Sequence, residues 1–169
     1  IKAPESFEIE RRLKEELNIP VMHDDQHGTA IISSAGLLNA LELAGKKIED
    51  IKLVVSGAGS AALACSNLYL LLGVRLENII MFDKDGVLHN NRTDLLPIQM
   101  KYAKDVEGMT LGEAMVNSDV FLGLSAPNVL TPEMLLTMNA NPIVFAMANP
   151  VPEIDYELAI ATREDIIMA

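Results

Sequence analysis

The sequence predicts an α/β fold, a Rossmann-like doubly wound parallel sheet with helices on both faces. Three observations predict it. Short apolar runs rich in β-branched residues, such as Ile51 to Val55 and Ile143 to Met147, have the length of strands buried on both sides. From Asp50 onward these runs alternate with helical segments, as successive βαβ units require. The first run leads through Gly57-Ala58-Gly59 directly into a helix, the strand-turn-helix order of a phosphate-binding turn.

The elements follow in order. Pro4 to Asn18 places Ile9, Leu13 and Leu17 at helical spacing, with Glu8/Arg12, Glu10/Lys14 and Arg12/Glu16 one turn apart, and reads as an amphipathic surface helix. Asn18 and Pro20 stop it, and Ile19 to Met22 has the character of a short strand. The polar stretch His23 to Thr29 precedes a small-residue helix, Ala30 to Ala44, closed by Gly45 with Lys46 and Lys47 behind it. Ile51 to Val55, the helix Ala61 to Leu72 ended by Gly73, and Ile79 to Phe82 make one βαβ unit. Strands at Val120 to Leu124, Ile143 to Met147 and Ile166 to Met168 complete five. The helices that go with them are Pro97 to Lys104, Leu111 to Val116, Pro132 to Met138 and Tyr156 to Ala161. The organisation expected is a helical segment over 1–49 and a Rossmann-type dinucleotide-binding domain over 50–169, forming one compact unit cut at both ends.

Composition narrows the function. The 169 residues carry 13 Lys and Arg against 24 Asp and Glu, a net charge of −11. Nucleic acid backbones and anionic membrane surfaces are therefore poor partners. No stretch has the roughly 18 apolar residues of a membrane span. A single cysteine, Cys65, excludes an internal disulfide or a thiolate metal cage, and a reducing cytoplasmic location is the simplest expectation. Cys65 and the nine methionines read as packing residues.

Three places carry ligand chemistry. In Gly57-Ala58-Gly59-Ser60-Ala61-Ala62, Gly57 serves the tight turn, Gly59 the approach of a pyrophosphate and Ala62 close helix packing, and the following helix offers its free N–H groups. Asp83 ends the second strand about 20 residues on, where a carboxylate accepts from a ribose 2′-hydroxyl. That points to NAD, while Lys84 and Arg92 nearby leave NADP open. Asp83-Lys84-Asp85-Gly86 resembles the start of a calcium loop, but its glycine and Asp94 fall at the wrong loop positions, so calcium is rejected.

The second place is His23-Asp24-Asp25-Gln26-His27-Gly28-Thr29, with two carboxylates and two imidazoles. Two readings stand: oxygen ligands for Mg²⁺ or Mn²⁺, or Asp24, Asp25 and Thr29 as caps of the next helix. The third is the carboxyl ends of later strands, where ligands gather in open parallel sheets. Asn149, before Pro150, offers a donor and an acceptor there, and Ser125 stands at the equivalent position one strand earlier; both are also good turn residues.

Taken together, Ile19 to Ala30, Val55 to Gly59, Ile80 to Asp83 and Phe145 to Pro150 resemble the malic enzymes of bacterial type, in order and spacing over nearly the whole chain. The resemblance implies oxidative decarboxylation of malate to pyruvate and CO₂, with hydride transfer to NAD or NADP and a divalent Mg²⁺ or Mn²⁺. It implies that Asp25 is a metal ligand, that Asp24 lies near a catalytic lysine and that Asn149 contacts malate. It places a Glu-Asp ligand pair just before Ile1 and the catalytic Tyr and Lys in a preceding domain, so the isolated chain is expected to be inactive. A homo-oligomer is expected for the whole enzyme. Two other readings keep the fold: a non-catalytic dinucleotide-binding regulatory module, and a dehydrogenase of another substrate such as an amino acid, which leaves His23 to Thr29 unexplained.

Overall fold

The computed structural model describes residues 5–169; the expected helix start at Pro4 lies outside them. Six strands form one sheet: β1 (Leu53–Ser56), β2 (Ile79–Asp83), β3 (Gly86–Val87), β4 (Val120–Gly123), β5 (Ile143–Ala146) and β6 (Ile167–Met168). Their order is β3-β2-β1-β4-β5-β6, parallel throughout except for β3, which returns antiparallel on β2. The chain therefore reverses direction across the sheet between β1 and β4, whose ends pair as Ser56 with Gly123. Ligands bind at such a switch point in open α/β sheets.

Alternation along each strand divides the core. Leu53 and Val55 pack into one buried cluster with Leu37, Leu41 and Leu63, while Val54 joins Phe121, Val144 and Leu135 in a second. The first cluster lies under α2 (Asp24–Ala44) and α3 (Ser60–Leu72). The second lies under α5 (Leu111–Met115), α6 (Pro132–Thr137) and α7 (Tyr156–Thr162). Both faces are covered, and for that reason the strands read as continuous apolar runs. Gly45 and Gly73, both at positive φ, terminate α2 and α3 as the sequence predicts.

Four expectations are corrected, and one strand, β3, is additional to those expected. Ile19 to Met22 is not a strand; Ile19 and Met22 are exposed, and the segment only connects α1 (Glu5–Glu16) to α2. The polar motif does not precede the helix expected from Ala30, because α2 already starts at Asp24: Asp24 and Asp25 face outward while Gln26 and Ala30 turn to the core. Ile9 and Leu13 of α1 and Leu17 just beyond it are exposed, and the inward side of the helix carries Ser6, Glu10 and Phe7, the last packed against the first core cluster. The helix expected over Pro97 to Lys104 stops as α4 (Pro97–Met100), because Lys104 turns back to pair with His89. The hairpin strand β3 is too short to carry a pattern. Among the described residues no helix is long and apolar enough to cross a membrane.

Candidate functional site

At the switch point the carboxyl ends of β1, β2 and β4 enclose a cleft of about 660 Å³, whose lining includes Gly57, Ala58, Gly59, Asp83, Gln99 and Ser125. Gly57 stands at φ 116°, and a Cβ there would lie 2.5 Å from the Leu124 carbonyl oxygen. Only glycine combines that backbone angle with so close an approach of two chain segments. Its N–H donates to the Phe82 carbonyl at 2.8 Å, which ties the turn to β2. Gly59 is different: it precedes α3 with ordinary extended φ, and a Cβ would meet nothing within 4 Å. Its missing side chain leaves the cleft open before the unpaired N–H groups of a 13-residue helix. Ser60 and Ala61 open that helix half-buried, and Ala62, 1% exposed, packs in the core as a small residue must here.

Asp83 faces the same cleft but is not alone. The Arg92 guanidinium grips it through two hydrogen bonds of 2.7 Å, and Asp85 N–H donates to it at 2.9 Å. Arg92 also pairs with Asp94, and the two carboxylates outweigh burial to raise its pKa. Among the described residues, Asp83, Asp85 and Asp94 form the one group of three potential metal ligands, and Arg92 already supplies its positive charge.

Ser125 follows β4, its hydroxyl 2.7 Å from that of Ser56. Asn149 follows β5, exposed and outside the lining of the cleft. Two residues that sequence reasoning passed over organise this edge. Gln99 of α4 donates from Nε2 to the Ala58 carbonyl at 3.0 Å and holds the glycine turn. Glu153, fully buried, accepts from the N–H groups of Ser125 at 2.9 Å and Ala148 at 3.0 Å. Nothing in the sequence marks Gln99, but Glu153 sits three residues beyond Pro150, within reach of the Asn149 turn.

Asp24 and Asp25 lie in the first turn of α2, both exposed, with neither a hydrogen bond nor an ion pair among the described residues. His23 is the N-cap and makes no side-chain cap bond, and Thr29 lies inside the helix, so capping by Asp24, Asp25 or Thr29 is not realised. Gly28 explains itself locally: a Cβ there would stand 2.2 Å from Asp24 Oδ1. The motif is anchored from α1, where Glu10 accepts from the His23 N–H at 3.1 Å and pairs with His27 Nε2 at 2.8 Å and Lys14 Nζ at 2.9 Å. Burial pushes the Glu10 carboxyl up, but Lys14, His27 and the His23 N–H outweigh it and hold its pKa at about 2.

Comparison with known proteins gives a consistent result. A family profile described as "Malic enzyme, NAD binding domain" matches residues 26–168. The chain is 53% identical to the NADP-dependent malic enzyme of Halomonas elongata, aligning over 100% of the chain and 40% of that protein. It is 52% identical to the NAD-dependent malic enzyme of Rhizobium meliloti, over 99% of the chain and 22% of that protein. The crystal structure of the NAD-dependent malic enzyme from Thermotoga maritima superposes with a TM-score of 0.87 at 43% identity, covering 99% of the chain and 46% of its own. The chain thus spans less than half the length of these relatives.

Proposed function

The chain belongs to the malic enzyme NAD-binding-domain family, and from that premise we propose that it is the cofactor-binding part of an enzyme converting malate to pyruvate and CO₂. The observation that carries the reading is the cleft at the β1/β4 switch point, opened by Gly59 and closed beneath by Gly57. The turn and the first residues of α3, Ser60 to Ala62, hold the pyrophosphate by backbone N–H groups. Asp83 accepts from the adenosine ribose, which favours NAD. Arg92, already paired with it, offsets the charge that would repel the 2′-phosphate of NADP. The bound dinucleotide supplies the hydride acceptor.

Ser125 and Asn149, at the ends of β4 and β5, border the reacting end, with Asn149 offering an amide to malate. Asp25 fits Mg²⁺ or Mn²⁺ in kind, as a free hard oxygen donor, but not in number, since such an ion takes one or two carboxylates together with other oxygens. Asp25 would hold the cation with ligands from outside this chain, and Asp24 would face the proton-transfer groups of the remaining enzyme. When bound, the divalent cation supplies the Lewis acid that a β-keto acid needs to lose CO₂. A cytoplasmic location and a homo-oligomer complete the proposal. Assay of malate turnover by the complete protein and by this chain tests the reading.

A further inference from the structure

A carboxylate with no exposure and no cation beside it is costly to bury, yet Glu153 is such a group among the described residues. What compensates it is specific. One oxygen accepts from the Ser125 N–H at 2.9 Å and lies 3.4 Å from the Ser125 hydroxyl; the other accepts from the Ala148 N–H at 3.0 Å. Ser125 in turn reaches Ser56 at 2.7 Å, so a single chain of hydrogen bonds crosses the carboxyl ends of β1, β4 and β5 below the cleft. Space for the carboxylate is made by Gly123, where a Cβ would lie 2.4 to 2.7 Å from the carboxyl atoms. An apolar side chain would fill this volume without the desolvation cost, but it would leave both loop N–H groups unpaired.

We propose that Glu153 is a positioning residue. Its carboxylate fixes the loops after β4 and β5, and with them the positions of Ser125 in the cleft lining and of Asn149 on the neighbouring loop. The proposal rests on the cofactor and malate reading above. It predicts that in the complete enzyme carrying this segment, Glu153→Gln lowers kcat/KM for malate by about 100-fold, the scale of a small misplacement of reacting groups. Dinucleotide affinity stays within the same order of magnitude, because the Gly57 to Ala62 turn is held by β2 and α4 instead. Glu153→Asp, which keeps the carboxylate, recovers part of the loss.

Hydrogen exchange of the wild-type enzyme at Ser125 and Ala148 gives a reading that needs no variant to fold: both loop amides are expected to exchange slowly. A folded Glu153→Gln enzyme with a lower melting temperature but unchanged kcat/KM overturns the proposal, as does fast exchange at these two amides. Failure of the wild type to bind dinucleotide or turn over malate refutes the underlying reading instead, and the amide exchange still reports on the loops.

Discussion

Arg92 holds Asp83 by two parallel N–H donors, Nη1 on Oδ1 and Nη2 on Oδ2, each at 2.7 Å. The carboxylate expected to read the ribose is thus paired before any ligand arrives, and in the proposed function the same arginine offsets its repulsion of a 2′-phosphate. Arg92→Ala should therefore discriminate between cofactors. NADP affinity is expected to fall by about 10-fold or more, the loss of one charge-assisted contact, with NAD affected less. Dissociation constants for NADH and NADPH by fluorescence titration check this, and equal losses for both would contradict it.

The two glycines of the turn do different work, and alanine separates them. Gly57→Ala places a Cβ against the Leu124 carbonyl at φ 116°, and the backbone strain alone costs roughly 1–3 kcal/mol. A lower thermal midpoint is expected together with loss of binding. Gly59→Ala meets no protein atom within 4 Å, so the midpoint should hold while dinucleotide binding is lost. Thermal melts with and without NADH distinguish the two outcomes.

Glu10 gives the docking of α1 an acid limit. Its folded pKa of about 2 lies below the ordinary 4.5, so its stabilisation is complete above pH 4.5 and is lost as pH falls from there towards 2. Glu10→Gln should be less stable than wild type at pH 7 and converge with it near pH 2. The contacts at stake are Lys14, His27 and the His23 N–H. Thermal midpoints followed by circular dichroism across this range check the convergence; Asp94 and Asp165, whose arginine partners also hold them near 2, titrate in both proteins.

Asp25 separates metal binding from helix stabilisation. In the complete enzyme, Asp25→Ala should weaken Mn²⁺ binding at least as much as loss of an outer-shell partner does, about 10- to 100-fold. A carboxylate serving only the helix dipole would contribute about 0.3–1 kcal/mol to stability and nothing to metal affinity. Calorimetric titration with Mn²⁺ reads the difference directly.

The sheet was legible because its strands are buried on both faces, so that Leu53 to Val55 and Ile143 to Phe145 carry unbroken apolar runs. The glycine turn was legible because Gly57 answers a backbone requirement that few residues meet. The His23 to Thr29 motif was legible but its helix was started too late, at Ala30, since outward-facing polar residues on a first helical turn look the same in sequence as a polar connection. The apolar spacing in α1 misled for the opposite reason: the inward side carries Phe7 and Glu10, a charged residue whose partners are Lys14, His27 and the His23 N–H. Gln99 was invisible because its role is a contact to a backbone carbonyl 41 residues away, and Glu153, although near the Asn149 turn, takes half its role from the Ser125 N–H, 28 residues away. Arg92 was noted as a nearby cation, but its grip on Asp83 depends on the β2–β3 hairpin, too short to show a pattern.

Pyruvate formation from malate, with Mn²⁺ and either NAD or NADP, measured side by side for the complete protein and for this 169-residue chain, tests the central claim most directly. Turnover by the complete protein and none by the chain is the predicted result. Measurable turnover by the chain alone, or none by the complete protein with either cofactor, would contradict it.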